Sequence, residues 1–243
     1  MWSDVTVDER LDPIPEDWSR ALGVVAHPDD MEYGAASAVA RWTDHGKDVR
    51  YLLVTRGEAG ISTMPPDEVG PIRVQEQRRS GLVVGVSIVE FLDRPDGLVE
   101  ADLALRRDLA EAIRRHQPEV ILSINHRDSW GGSSWNHADH RAVGRGLLDA
   151  VRDAANPWIF PKAGPAWAGV RFAAFNASPQ ATHGVDVTGY LERGIDSLRC
   201  HALYLAHLGE DMNDPGESLR SSAESTGARL GVQHAVAFEL VMF

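Results

Sequence analysis

The sequence predicts an α/β fold: a Rossmann-like, mostly parallel sheet with helices on both faces, in a single domain. Three observations predict it. Short apolar, β-branched runs alternate with stretches of helical period. The unusual polar clusters each follow one of those apolar runs, and open α/β sheets gather ligands at the carboxyl edge of their strands. The chain has 243 residues, enough for one well-buried core and short for two. No repeat, low-complexity tract or linker divides residues 1–243, and residues 1–20 read as an acidic N-terminal arm.

The first strand is Leu22-Gly23-Val24-Val25-Ala26, apolar throughout as a buried parallel strand should be. Pro28 cannot donate to a sheet ladder and biases His27 to an extended backbone, so the strand stops there. The loop that follows, His27-Pro28-Asp29-Asp30, carries one imidazole and two carboxylates. A helix from Gly34 to His45 ends at Gly46. Val49 to Thr55 reads as a second strand, closed by the loop Arg56-Gly57-Glu58-Ala59-Gly60. The stretch containing Pro65, Pro66 and Pro71 reads as too proline-rich for regular structure, with a helix from Arg73 to Val84. Val86 to Leu92 is the third strand and Asp93 to Gly97 a turn. Asp102 caps a helix whose Leu105, Leu109 and Ile113 share a face. Val120 to Ile124 is the fourth strand, and a long loop leads from Asn125 to Asn136. His137 and His140 open a helix with Val143, Leu147 and Val151 on its core side. Val170 to Asn176 is the fifth strand. Asp186 is expected to cap a last long helix running through Val187, Leu191, Ile195, Leu198, Ala202 and Leu205. The acidic stretch Glu210 to Glu217 reads as a solvated loop.

Composition narrows the chemistry. A net charge of -12 argues against a nucleic-acid or anionic-membrane partner, since either needs a basic face. Cys200 is the only cysteine, so disulfides and Cys-x-x-Cys metal sites are excluded and a metal must use His, Asp or Glu. The acidic start lacks the basic, then apolar, pattern of a signal peptide, and no apolar run approaches a bilayer span. The expected location is the cytoplasm.

Catalytic zinc takes three His or carboxylate ligands and leaves a position for water. His27, Asp30 and His140 fit that recipe. Asp29 is placed to take a proton from water as a general base. His137, one helical turn before His140, can donate to the oxyanion formed at an attacked carbonyl. Glu32 or Asp139 can orient a ligand imidazole from behind. Each cluster also has a plain structural reading, a helix-capping turn or a surface His pair; their matching placement on one sheet favours a metal. The same ligand types serve non-haem iron oxygenases, but on barrels that this strand–helix alternation does not support. No Gly-x-Ser-x-Gly elbow is present for a serine esterase.

Ala26-His27-Pro28-Asp29-Asp30, with Thr55-Arg56-Gly57-Glu58 and His137-Ala138-Asp139-His140, resembles the PIG-L/LmbE-like family of zinc-dependent N-deacetylases from about Leu22 to His207. The resemblance implies one Zn2+ per chain on His27, Asp30 and His140, Asp29 as general base and His137 stabilising the tetrahedral intermediate. It implies a small-molecule amino-sugar substrate, with Arg73 (before Glu76), Asp96 and Glu58 on the substrate side, and it is compatible with a homo-oligomer. The chain departs from the pattern at Ala138, where proline is common, and at Trp135, where mycothiol-type deacetylases have tyrosine. Trp130 and Trp135 are candidates for an apolar wall against an acyl or aglycone group. The expected reaction is removal of an N-acetyl group from an amino sugar or its conjugate. The alternatives are amidase action on a larger thiol-sugar or secondary-metabolite conjugate, and a non-catalytic small-molecule or metal-binding role.

Overall fold

The sheet is built outward from two adjacent parallel strands, β2 (Arg20–Val25) and β5 (Val120–Ile124). The computed structural model describes residues 10–208 and 216–243. From β2 the chain proceeds through α1 (Ala36–Asp44) to β3 (Asp48–Leu53), then through α2 (Pro66–Val83) to β4 (Val89–Phe91), each new strand parallel to the last. Helix α3 (Leu103–His116) then returns the chain to β5 on the other side of β2. From there α4 (Ala138–Ala155) leads to β8 (Phe172–Asn176), again parallel. Strand order therefore reverses between β2 and β5, and that switch point is where a crevice opens beyond the strand ends.

The far edge is mixed. β10 (Ala235–Met242) runs antiparallel to both β8 and β9 (His183–Asp186), and β1 (Asp12–Pro13) pairs in parallel with β9. Between β5 and α4, β6 (Ser129–Gly131) and β7 (Ser134–Trp135) form a small hairpin. Helices α5 (Leu191–Arg199), α6 (Ala202–Ala206) and α7 (Gly216–Leu230) complete the described chain.

Strand alternation makes two apolar layers, as side chains of period 2 must. Leu22 and Val24 join Leu52, Leu105, Leu109, Ile113, Val143 and Leu147 under α3 and α4. Ala21 and Val25 join Val39, Trp42, Tyr51, Leu53 and Phe172 on the α1 side. Helices thus cover both faces. The arm contributes too, with Leu11, Ile14 and Trp18 buried.

Several boundaries differ from the sequence reading. Helix α2 begins at Pro66, seven residues before Arg73. Proline is tolerated in a first turn, where its missing N–H has no partner to lose, and the carbonyl that Pro71 cannot serve belongs to exposed Asp67. Asp186 caps no helix: it ends β9, and its Oδ1 accepts Thr188 N (2.9 Å) in an Asx turn. The expected long helix is instead α5 and α6, separated at His201. The third strand shortens to Val89–Phe91. Of the acidic stretch, 210–215 lies outside the described residues, and Gly216 and Glu217 open α7.

Candidate metal and catalytic site

Two loops meet at the switch point. His27 to Asp30 follow β2, and Asn136 to His140 lie at the start of α4. His140 Nε2 lies 3.2 Å from His27 Nδ1 and 3.0 Å from Asp30 Oδ1, and His27 Nδ1 is 3.7 Å from Asp30 Oδ2. Tautomers follow from the outward-facing partners. His27 Nε2 faces Asp139 Oδ2 and Asp96 Oδ1, both at 3.1 Å, so that nitrogen carries hydrogen. His140 Nδ1 faces Asn136 Oδ1 at 3.0 Å. Asn136 cannot be flipped, because its Nδ2 donates to the carbonyls of Asn125 and Arg127, both at 2.8 Å. His140 Nδ1 therefore donates. The inward nitrogens are both lone pairs, and they face each other and a carboxylate.

Such a convergence is stable only around a positive charge. Four-coordinate zinc with ligand bonds of about 2.0–2.1 Å sets neighbouring donor atoms about 3.3 Å apart, the spacing found here. A divalent cation fits these residues. In its absence a proton must serve: burial opposes a charged His27, but Asp30, Asp139 and Asp96 outweigh it and hold this imidazole well above its ordinary value. Burial likewise opposes an ionised Asp30, and His140 and His27 overcome it, so its carboxyl stays well below the usual range. His27, His137 and Asp139 form a second possible triple. There Asp139 is already engaged, accepting Gly97 N and Val99 N as well as His27.

Asp29 is buried beside this centre at φ 90°, in the left-handed region that non-glycine residues rarely enter. Burial pushes its carboxyl up to about 6, against the pull of Arg73. Arg73 Nη2 lies 3.2 Å from Asp29 Oδ2 as an ion pair, while the guanidinium donates to the carbonyls of Gly57 (3.0 Å) and Pro28 (2.6 Å). It also stacks on Tyr204, 4.0 Å from the ring centre. Glu76 does not pair with Arg73; its Oε1 accepts Leu203 N (2.7 Å).

His137 is the N-cap of α4, and its Nδ1 accepts Asp139 N (3.2 Å). The hydrogen therefore sits on Nε2. Partial burial, then the charge on His27, keeps the ring below the usual imidazole value, so His137 is a neutral N–H donor.

These groups line a cavity of about 430 Å3 with Ile124, Trp130, Tyr33 and Tyr204 among its walls. The cavity gathers His27, Asp29, Asp30, Arg73, Asp96, His137 and His140 from separate stretches of chain. Two expected residues lie outside its lining. Glu58 instead ties loops, accepting Asp96 N (2.9 Å) and Arg56 N (3.1 Å). Trp135 is 67% exposed and carries the Arg141 guanidinium over its ring. Trp130 is the indole at the site, edge-on to His140 with ring centres 5.5 Å apart. Of the candidate orienting carboxylates, Asp139 backs His27, whereas Glu32 bonds Gln77 and Ser80. Asn136, Tyr33 and Tyr204 went unread. An Asn just before a His-x-x-His pair was the one available signal; the tyrosines reach the cavity through tertiary packing alone.

Residues 22–151 match the PIG-L family model, described as GlcNAc-PI de-N-acetylase. The chain belongs to this family. Among curated relatives of this PIG-L family chain, diacetylchitobiose deacetylase of Thermococcus kodakarensis is 26% identical over 200 residues, covering 80% of this chain and 73% of the relative. The 1D-myo-inositol 2-acetamido-2-deoxy-alpha-D-glucopyranoside deacetylase of Kineococcus radiotolerans is 30% identical over 199 residues. That match covers 63% of this chain and about half (52%) of the relative. Among solved structures, N,N'-diacetylchitobiose deacetylase from Pyrococcus horikoshii superposes with a TM-score of 0.83 at 24% identity, covering 93% of this chain and 85% of that one. That likeness establishes the fold. Among the described residues, no helix is long and apolar enough to cross a membrane.

Proposed function

We propose that this protein is a divalent-metal-dependent N-deacetylase that hydrolyses the acetamide of an amino sugar or amino-sugar conjugate. The observation that carries the reading is the convergence of two imidazole lone pairs and the Asp30 carboxylate beside a second, strained carboxylate, Asp29. His27, Asp30 and His140 would hold the cation. A cation bound there polarises a carbonyl and acidifies water. Zinc is the proposed ion, since a compact set of two imidazoles and one carboxylate suits it.

The remaining chemistry belongs to the chain. Asp29 accepts a proton from the attacking water and passes it to the departing amine, a task suited to a carboxyl poised near neutrality. Arg73 keeps enough positive charge beside Asp29 to favour its ionised form. His137 Nε2–H donates to the carbonyl oxygen as charge develops there. A neutral donor serves because it gives a hydrogen bond without surrendering its proton. Asp139 and Asp96 fix the tautomer of His27, and Asn136 that of His140. Trp130 and Tyr204 supply aromatic walls against which a sugar ring can pack. The relatives, diacetylchitobiose and inositol acetamido-glucopyranoside deacetylases, support an acetamido sugar as the substrate class.

The test is amine release from GlcNAc, N,N'-diacetylchitobiose, GlcNAc-inositol and GlcNAc-malate, with zinc supplied or chelated. Chelator-sensitive release from one of these is expected. A zinc-loaded protein silent on all four overturns the substrate class.

A further inference from the structure

The cavity accounts for the carboxylate of Asp29 but not for what holds its backbone at φ 90°. Its carbonyl accepts Glu32 N (2.9 Å) and Tyr33 N (3.0 Å), as the turn requires. Its N–H turns to the other side and donates to Gln77 Oε1 at 3.0 Å. Gln77 is 1% exposed on α2 and lines no part of the cavity.

The amide of Gln77 is held in one orientation. Its Nε2 donates to Glu32 Oε1 at 2.8 Å, the same oxygen that accepts Ser80 Oγ at 2.7 Å. Ser80 gives its one hydrogen to Glu32, so toward Ser197 on α5 it can only accept, through its Oγ (2.7 Å) or its carbonyl (3.2 Å). Donors therefore run one way from Ser197 to Ser80 to Glu32, and from Asp29 N–H to Gln77 to Glu32. Flipping the amide would break both of its bonds at once. Every member of the chain is buried, where no solvent replaces a lost partner.

We propose that Gln77 is a positioning residue: its side-chain amide, oriented by Glu32, clamps the Asp29 N–H and so holds the left-handed backbone that presents the Asp29 carboxylate to the cavity. The proposal rests on the role given to Asp29 above. Methionine matches the size of glutamine but offers no acceptor for the N–H. Glutamate at this position would accept the N–H but set a carboxylate against Glu32.

Three variants test it: Gln77→Met, Gln77→Glu, and the exchange Glu32→Gln with Gln77→Glu. In the exchange the new carboxylate at 77 accepts from Asp29 N–H and from the new amide at 32, whose second N–H turns to Ser80 Oγ. Ser80 then donates to Ser197 Oγ and Ser197 to the Ser80 carbonyl, so each pair is kept with donor and acceptor reversed beyond Asp29. With N,N'-diacetylchitobiose as probe, Q77M should lose about 10–100-fold in kcat, the scale expected when a reacting group is displaced by about an ångström. KM and cobalt(II) affinity, read by its visible absorption, should stay unchanged. Q77E alone should lose activity as Q77M does, and the exchange should recover most of the lost kcat. A second readout needs no turnover: hydrogen exchange at the Asp29 amide should be fast in Q77M and slow in wild type and in the exchange variant. Wild-type kcat together with a protected Asp29 amide in Q77M overturns the clamp, as does a folded exchange variant that recovers neither property. If wild type hydrolyses no acetamido sugar, the deacetylase reading fails, and the amide-exchange series alone decides the clamp.

Discussion

Replacing Gly57 by alanine tests how the basic side of the site is built. Gly57 has φ +64°, and a Cβ there would lie 2.3 Å from Arg73 Nη1, 2.7 Å from Arg73 Cζ and 2.9 Å from Pro28 Cδ. Arg73 cannot swing into solvent, being 2% exposed. It is bounded by Tyr204 and by Gly60, whose own Cβ position is 2.6 Å from Nη1. The left-handed backbone alone costs an alanine about 1 kcal/mol. Displacing the guanidinium from the Gly57 carbonyl adds the loss of a charged hydrogen bond, about 1.5–3 kcal/mol. The sum is about 2.5–4 kcal/mol, and at about 2–4 °C per kcal/mol for a chain of this size the melting temperature should fall by about 5–16 °C. Gly46 is the internal control: it has φ +81° and nothing within 4 Å of its Cβ position. Gly46→Ala should therefore cost only the backbone part, about 2–4 °C. Thermal unfolding of both variants by calorimetry decides the matter. Equal shifts in the two would refute the claim that Arg73 is wedged against Gly57.

Much of this architecture was legible because local pattern and tertiary role coincide. β2 and β5 are nearly continuous apolar runs, which only a strand covered on both faces needs, and the Pro28 break fixes where the loop carrying Asp29 and Asp30 begins. The convergence of His27, Asp30 and His140 was legible because these residues follow the two strands that meet at the switch point. What could not be read depends on distance in sequence. Tyr204 reaches Arg73 through packing of α6 against α2, and Gln77 looks like any other polar residue of a largely polar helix. Asp96 and Glu58 were expected to meet substrate; their carboxylates also answer internal donors that no short pattern displays. Trp135 and Trp130 are separated by the β6–β7 hairpin, which turns only the latter toward His140. The far edge with β9 and β10 went unread because its pairing is set by non-local contacts.

Other outcomes follow from the same geometry. Asp29→Asn should keep its bound metal, by elemental analysis, and lose about 10²–10⁴-fold in kcat, the usual contribution of a general base. The rate should fall toward acid pH: burial raises Asp29 to about 6, and an ionised base is lost as pH drops through that value. A cation at His27, Asp30 and His140 shifts the limb downward, so an inflection above about 6 in kcat would contradict the assignment. Asp139→Asn leaves the three ligands in place but weakens the carboxylate behind His27. Metal affinity, by competition with a chromophoric chelator, should drop about 10–100-fold. Zinc in excess should raise the melting temperature of wild type, as any ligand bound only by the native state does, and leave His140→Ala unmoved.

The most direct measurement is a titration of metal-free protein with zinc while amine release from the best acetamido sugar is followed. The account predicts activity rising linearly to one equivalent per chain, reversal by chelator, and no response in His140→Ala. Full turnover in the metal-free protein, or saturation with activity equally present in His140→Ala, would contradict it.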